Sequence, residues 1–403
     1  MASRIVIIGN GIASITAIKA IREVDLDSEI YLIGEEKFYP YNRIRLSKGM
    51  LDDIEENNIL LQKKEWYEEN KVKIYINTKV VSVDIDNKEV LLSDATSIKY
   101  DKLLFANGSS NRVPPIDGIN KVGVHTIRTL DNVLGIKDNL NKAEQIIIIG
   151  GGIQGLETAW ILHKSGKKVI VVELLSRLMP RELDDKASEI LKKIIIDHGI
   201  QILTSSSVKQ ILGDSKVEGI LVDEKSEIKG DIVIYSTGIS PNIELVSNTK
   251  IKAKRGIVVN NKMETTIENI YAAGDVAEFN DKVTGLWNIA IAQGKVAGYN
   301  IVGKEIAYED ITPVVTLNAF DISLFSMGCI DETNSTKVLL DENVNNTEYK
   351  KIFIKNNKIV GAIVIGDTRK SPLIKSAIEK EILLDEFDLS NVSVDELLNK
   401  LKK

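Results

Sequence analysis

Short apolar runs that end in glycine recur along the chain and set its organisation. The first is Ile5, Val6, Ile7 and Ile8, followed by Gly9, Asn10 and Gly11, then by Ile12, Ile15 and Ile18 at helical spacing. That order predicts a buried strand, a tight turn and a helix. A second strand is expected over EIYLIG, residues 29–34, and residues 72–92 alternate in short runs around an Asp86–Asn87 turn, a β excursion. The strand KLLFANGSSN ends on Ala106, Asn107 and Gly108, and Pro114 and Pro115 mark a domain exit. At 145 the opening pattern returns as QIIIIGGGIQG, followed by KKVIVVE and later by DIVIYSTGISPN. The two halves read as an internal repeat offset by about 140 residues, each a mononucleotide-scale α/β wrap. From about 306 the character changes to longer strand-like runs, a hairpin turning at Asn356–Asn357 and a charged helical end. This tail is expected to form a separate small α+β domain.

The glycines suit a nucleotide diphosphate, which needs close backbone approach and sits on a helix N-terminus. In the first unit Ser14 replaces the third glycine of the fingerprint, and Glu35 and Glu36 end the next strand, either one placed to accept from a ribose. The loop KFYPYNRIRLSKGM carries Arg43, Arg45 and Lys48, cations expected to fold back over the dinucleotide rather than form a plain linker. Val80 is read as core or as an adenine contact. In the second unit Gly150, Gly152 and Gly155 complete the fingerprint, with Glu173 lying 23 residues past Gly150. A carboxylate there accepts from a free 2′-hydroxyl and repels a 2′-phosphate, favouring NADH, although Arg177 nearby leaves this open. The later run YAAGDVAE delivers Gly274 and Asp275 to a strand end, where a carboxylate can hold ribityl hydroxyls of a flavin.

Composition narrows the class. At 403 residues, with 43% hydrophobic and 27% charged positions, the chain reads as a soluble protein of two or three domains. No apolar run reaches the roughly 18–20 residues of a membrane span, and no signal-peptide pattern opens the chain, so a cytoplasmic location is expected. A net charge of −6 argues against nucleic acid as main partner. His125, His163 and His198 lie far apart without metal-ligand spacing, so no metal is expected. The one cysteine, Cys329, excludes an intrachain disulfide and is expected to be a packed thiol.

GNGIAS, GGGIQG and YAAGDVAE, in this order, closely resemble the flavoprotein family with two dinucleotide-binding domains, of glutathione-reductase-like fold. The loop YPYNRIRLSK is similar to that of the branch holding rubredoxin reductases, oxygenase-coupled ferredoxin reductases and the FAD region of nitrite reductase large subunits. Length and tail are most similar to the clostridial-type NADH:rubredoxin reductases. The resemblance implies an α/β fold of two Rossmann-like domains, for FAD and NAD, plus a small α+β C-terminal domain. It implies an FAD-binding domain over 1–117 and 243–305, an NAD(P)H-binding domain over 118–242 and a tail over 306–403. FAD would contact Gly9, Gly11, Ile12, Ala13, Glu35, Glu36, Arg43, Lys48, Val80, Ala106, Gly108, Gly274 and Asp275. NADH would lie on Gly150, Gly152, Gly155, Glu173 and Gly238, with Lys48 and Glu157 as a catalytic charged pair beside the flavin. Asn107 stands where the family commonly has threonine. The stretch YNRIRLSKGM lacks the cysteine of the thiol-dependent members, so electrons are expected to pass from NADH through FAD without a protein thiol. The implied acceptor is rubredoxin or another small carrier, served by a monomer or homodimer with no membrane partner. An oxidase or diaphorase using O2 or a quinone, a reductase for ferredoxin or nitrite reductase, and a nicotinamide-sensing interaction protein are the competing readings.

Overall fold

The computed structural model describes residues 2–52, 54–343, 348–385, 389 and 392–402. They fall into two compact units, one of Met1–Arg112, Arg128–Leu130 and Gly238–Asp310, the other of Val113–Ile127, Asp131–Thr237 and Ile311–Lys403.

In the first unit five parallel strands run in the order Ile270–Ala272, Lys102–Phe105, Arg4–Ile8, Glu29–Ile33, Val72–Tyr75. Ile5 through Ile8 are all buried, as a strand covered on both faces requires. The helix Ile12–Arg22 crosses the helix Trp287–Ile301 at glycines. A Cβ on Gly294 would stand 2.3 Å from the Ala13 carbonyl oxygen, and one on Gly298 2.4 Å from that of Ala17. The two backbones touch, and the small-residue face of the later helix exists for that contact. Arg22 closes the far end of the first helix, donating to the carbonyls of Asn70 (2.7 Å), Asp25 (2.9 Å) and Ser28 (2.8 Å). Of the β excursion, Val72–Tyr75 joins the edge of the parallel sheet. Val80–Asp84, Glu89–Leu92 and Ser97–Lys99 form a separate antiparallel sheet.

The second unit repeats this plan. Its parallel strands run Gln201–Leu203, Lys168–Val172, Gln145–Ile149, Ile232–Tyr235, Val124–His125, with an antiparallel insertion of Val208–Leu212, Gly219–Val222 and Ser226–Lys229. Only the edge differs: a strand from later in the chain fills it in the first unit, an earlier one in the second.

The tail is a five-stranded antiparallel sheet ordered Val314–Ala319, Ile322–Gly328, Lys358–Ile365, Glu348–Lys355, Lys337–Asn343. Phe325, Ile352, Ile354 and Val364 form its core with Ile374 and Leu397 of the helices Ser371–Glu379 and Val394–Lys400. Asn356 and Asn357 both take positive φ (50° and 55°), the geometry of the expected two-residue hairpin turn. By packing, this sheet clusters with the middle of the chain: Phe320 lies against Trp160 at 5.1 Å between ring centroids, and the Ser326 hydroxyl donates to the Glu182 carbonyl. Cys329 corrects the expectation of a packed thiol, for it is exposed. It follows Gly328 at the strand's end, past the last core residue, Met327. A Cβ on Gly361 would stand 2.0 Å from its carbonyl oxygen, so its backbone is what packs.

A buried charge cluster also ties the tail sheet in. Lys351 is 6% exposed and donates to Asp184 (2.6 Å) and Glu332; the Tyr349 hydroxyl donates to Asp184 as well (2.7 Å). Asp184 in turn caps the helix Asp185–Asp197 through the Ala187 N–H (2.8 Å). Burial pushes the Asp184 carboxyl up, but the Lys351 ammonium and the other hydrogen bonds outweigh it and hold the carboxyl below its usual range. Replacing Lys351 by Met strands that carboxylate and is expected to cost about 3 kcal/mol at neutral pH, read from urea midpoints. In the wild-type protein the contribution of a depressed carboxyl is present above its unfolded value and lost as pH falls through the folded one. The gap between the two proteins should therefore narrow below about pH 4. Among the described residues no helix is long and apolar enough to cross a membrane, and no His/Cys/Asp/Glu cluster could hold a metal.

Candidate functional site

The C-terminal ends of the parallel strands collect the predicted residues of the first unit. Gly9 takes φ +100°, and a Cβ there would lie 2.3 Å from the Ala106 carbonyl oxygen. Gly11 caps the helix Ile12–Arg22, and a Cβ on it would meet no atom within 4 Å. The turn is therefore closed at Gly9 and open at Gly11, where free N–H groups of a helix start face space. Ser14 is fully buried and its hydroxyl donates to the Gly9 carbonyl, bracing the turn from inside the helix. Gly274 (φ +81°) approaches Ala13, where a Cβ would come within 3.2 Å of the Ala13 Cβ, and its N–H donates to Gln293 (2.9 Å). Asp275 follows. One of its oxygens accepts from the Ser109 hydroxyl (2.8 Å) and from the Arg128 guanidinium (3.0 Å).

The two acids at the end of Glu29–Ile33 separate. Glu36 accepts from Arg43 and from the Tyr41 hydroxyl, and Arg43 also donates to the Arg128 carbonyl (2.8 Å). Burial pushes the Tyr41 hydroxyl well above its usual value, helped by the Glu36 carboxylate, so it stays protonated. It accepts from the Leu130 N–H (2.9 Å). Glu35 is exposed with Lys79 at 3.0 Å. Gly108 takes φ +65°, and beside it the side chains of Asn107 and Asn242 each donate to the other's carbonyl at 2.8 Å. Lys48 ends the short helix Ile44–Lys48 and is exposed, whereas Val80 is buried in the antiparallel sheet.

In the second unit Gly150 takes φ +115°, its would-be Cβ 2.4 Å from the Ser236 carbonyl oxygen, and a Cβ on Gly155 would stand 2.1 Å from that of Gly150. Gly152 caps the helix Ile153–Lys164 and faces open space. Glu173 is buried at the end of its strand; its carboxylate accepts from the N–H groups of Gly151 (2.6 Å) and Leu175 (2.7 Å). Arg177 donates to Asp185 (2.7 Å) and to the Pro180 carbonyl (3.1 Å). Glu157 is buried on the helix Ile153–Lys164. Gly238 (φ +97°) falls in the first unit, where Ile239–Pro241 pairs with Ser109–Asn111.

Sequence reasoning missed Ser109, Arg128 and Tyr41. Ser109 directly follows the small-residue turn and was within reach of a pattern argument. Arg128 acts on a partner 147 residues away with no local signal, and Tyr41 joins the nearby Glu36 to the Leu130 N–H 89 residues away.

Two units of one topology, each with a glycine turn open to a phosphate and a carboxylate ending the next strand, define a two-domain pyridine-nucleotide oxidoreductase. Residues 3–294 match the pyridine nucleotide-disulphide oxidoreductase family, and 313–382 match the rubredoxin NAD+ reductase C-terminal domain. The chain belongs to the pyridine nucleotide-disulphide oxidoreductase family and is a flavoprotein reductase whose cofactors are FAD and NADH. It is 35% identical to the NADH-rubredoxin oxidoreductase of Clostridium acetobutylicum over 402 residues, covering 99% of both chains. The solved structure of that enzyme superposes with a TM-score of 0.81 at 34% identity, covering 99% of this chain and all of the other. It is also 35% identical to the nitrite reductase [NAD(P)H] of Bacillus subtilis, spanning 97% of this chain but about half (49%) of that protein. The NADH oxidase of Methanocaldococcus jannaschii is 31% identical over 95% of this chain and 93% of its own.

Proposed function

We propose that this protein carries electrons from NADH through FAD to a small one-electron carrier in the cytoplasm, with rubredoxin as that carrier. Its lone cysteine carries the argument. Cys329 lies in the tail, on an exposed strand end, and the chain has no second cysteine for a redox disulfide. In this reading electrons leave without a protein thiol, because the stretch YNRIRLSKGM also lacks the cysteine that single-thiol members use. Full-length likeness to a rubredoxin reductase supports the carrier.

In this reading residues 1–117 with 243–305 hold FAD, 118–242 hold NADH, and 306–403 form the tail. Gly9 and Gly150 shape the turns, and the amides beyond Gly11 and Gly152 take the diphosphates. Glu35 rather than Glu36 accepts from the adenosine ribose of FAD, because Glu36 is engaged by Arg43 and Tyr41. Glu173 accepts from the adenosine ribose of NADH while bracing Gly151. Asp275, oriented by Ser109 and Arg128, receives the ribityl hydroxyls. Lys48 and Glu157 are assigned as the charged pair beside the reacting rings. Bound flavin supplies the link between two-electron and one-electron chemistry. The protein's task is to position the rings and exclude water.

The test is anaerobic NADH oxidation with and without rubredoxin, beside an aerobic control lacking it. Rapid turnover only with rubredoxin is expected; rapid turnover only in air would make the protein an oxidase. Docking of an acidic carrier needs local positive charge, and Arg45 is exposed next to an Arg43 already committed to Glu36. Arg45→Glu should raise the KM for rubredoxin several-fold at low salt and flatten its salt dependence. Unchanged carrier kinetics would move the docking face elsewhere.

A further inference from the structure

We infer that Asp185 is a specificity-determining residue that keeps a 2′-phosphate out of the nucleotide site by holding Arg177. The inference rests on the assignment of residues 118–242 to NADH. Arg177 lies four residues past Glu173, on the loop that returns to the glycine turn. That loop is pinned: the Met179 N–H donates to the Gly151 carbonyl (3.1 Å), and Glu173 accepts from the Gly151 N–H. Leu178 and Glu173 both abut Gly151, whose would-be Cβ lies 2.6 Å from Leu178 Cδ2 and 3.2 Å from Glu173 Oε2. Arg177 is therefore carried at the edge of the ribose position. An arginine there is the group that would bind a 2′-phosphate, by a fork of parallel N–H donors.

Here the fork is turned away. One terminal nitrogen donates to Asp185 at 2.7 Å and the other to the Pro180 carbonyl at 3.1 Å, while Nε is buried with no partner among the described residues. Asp185 is fixed in place because it opens the helix Asp185–Asp197, whose cap Asp184 is gripped by Tyr349 and Lys351. Asp185 acts twice, occupying the arginine and adding a negative charge against a phosphate dianion. The Asp185 side chain is 87% exposed, so the pair weighs no more than about fivefold in an equilibrium. The lock is light enough for one substitution to open.

The experiment is calorimetric titration of the FAD-loaded protein with 2′,5′-ADP and with 5′-AMP. Asp185→Asn is expected to tighten 2′,5′-ADP by about three- to fivefold and to leave 5′-AMP unchanged. In the double variant Asp185→Asn/Arg177→Gln most of that gain should vanish, since the released guanidinium is its source. Unaltered 2′,5′-ADP affinity in Asp185→Asn, with 5′-AMP still bound, overturns the inference alone. So does a gain that survives loss of Arg177. Failure of the wild-type protein to bind either nucleotide overturns the NADH assignment, and the inference with it.

Discussion

Gly11→Ala should yield a folded protein that has lost its yellow colour. Its φ of −87° is ordinary for alanine, and among the described residues no atom beyond its immediate neighbours lies within 4 Å of the new methyl. Stability should stay within about 0.5 kcal/mol of wild type. The methyl would instead enter the space that the diphosphate needs. Overpacking of about 3 kcal/mol corresponds to roughly a 100-fold loss of FAD affinity. Gly9→Ala gives the contrast. There the methyl would stand 2.3 Å from a carbonyl oxygen, at φ +100°, so the fold itself should lose about 3 kcal/mol or more. Flavin absorbance per protein and urea midpoints, measured on both variants, separate the two roles. A Gly11→Ala protein that keeps its flavin at wild-type affinity would remove the diphosphate from that helix start.

Both glycine turns were readable in the sequence because their constraint is local. A strand, a positive-φ turn and a helix start lie within a dozen residues, and only glycine satisfies the close approaches at Gly9, Gly150 and Gly155. That the two units share one plan followed from the repeat. What the sequence hid was long-range or a matter of choice between equals. Glu35 and Glu36 are indistinguishable until Arg43 and Tyr41 fold onto the second of them. Arg128 reaches Asp275 from a three-residue segment of the first unit flanked on both sides by residues of the second. Ser14 looked like a substitute chosen for size, yet its hydroxyl braces the turn. Cys329 looked buried because thiols usually are; a backbone contact through Gly361 leaves its residue outside. The grouping of the tail sheet with the middle of the chain depends on Lys351, Asp184 and the Trp160–Phe320 contact, pairs with no sequence signature.

Glu157→Ala carries the other large expected effect, about 100-fold slower bleaching of the flavin absorbance by NADH. A carboxylate is costly to bury, and Glu157 is buried on the first turns of a helix whose start is the Gly152 cap. A side chain on that rigid element is well suited to fix a reacting group, and displacement by about 1 Å can cost on the order of 100-fold in rate. NAD+ affinity and FAD content should change little, which separates ring positioning from binding. If charge is what matters, Glu157→Gln will be as slow as Glu157→Ala; if shape and hydrogen bonding suffice, it will recover most of the rate. The role proposed for Lys48 makes a further demand. On the joint role proposed for them, Lys48→Met should be slow too, and the double variant no slower than the slower single one. Multiplying effects would show two independent residues, and unchanged reduction in Glu157→Ala would take Glu157 out of the mechanism.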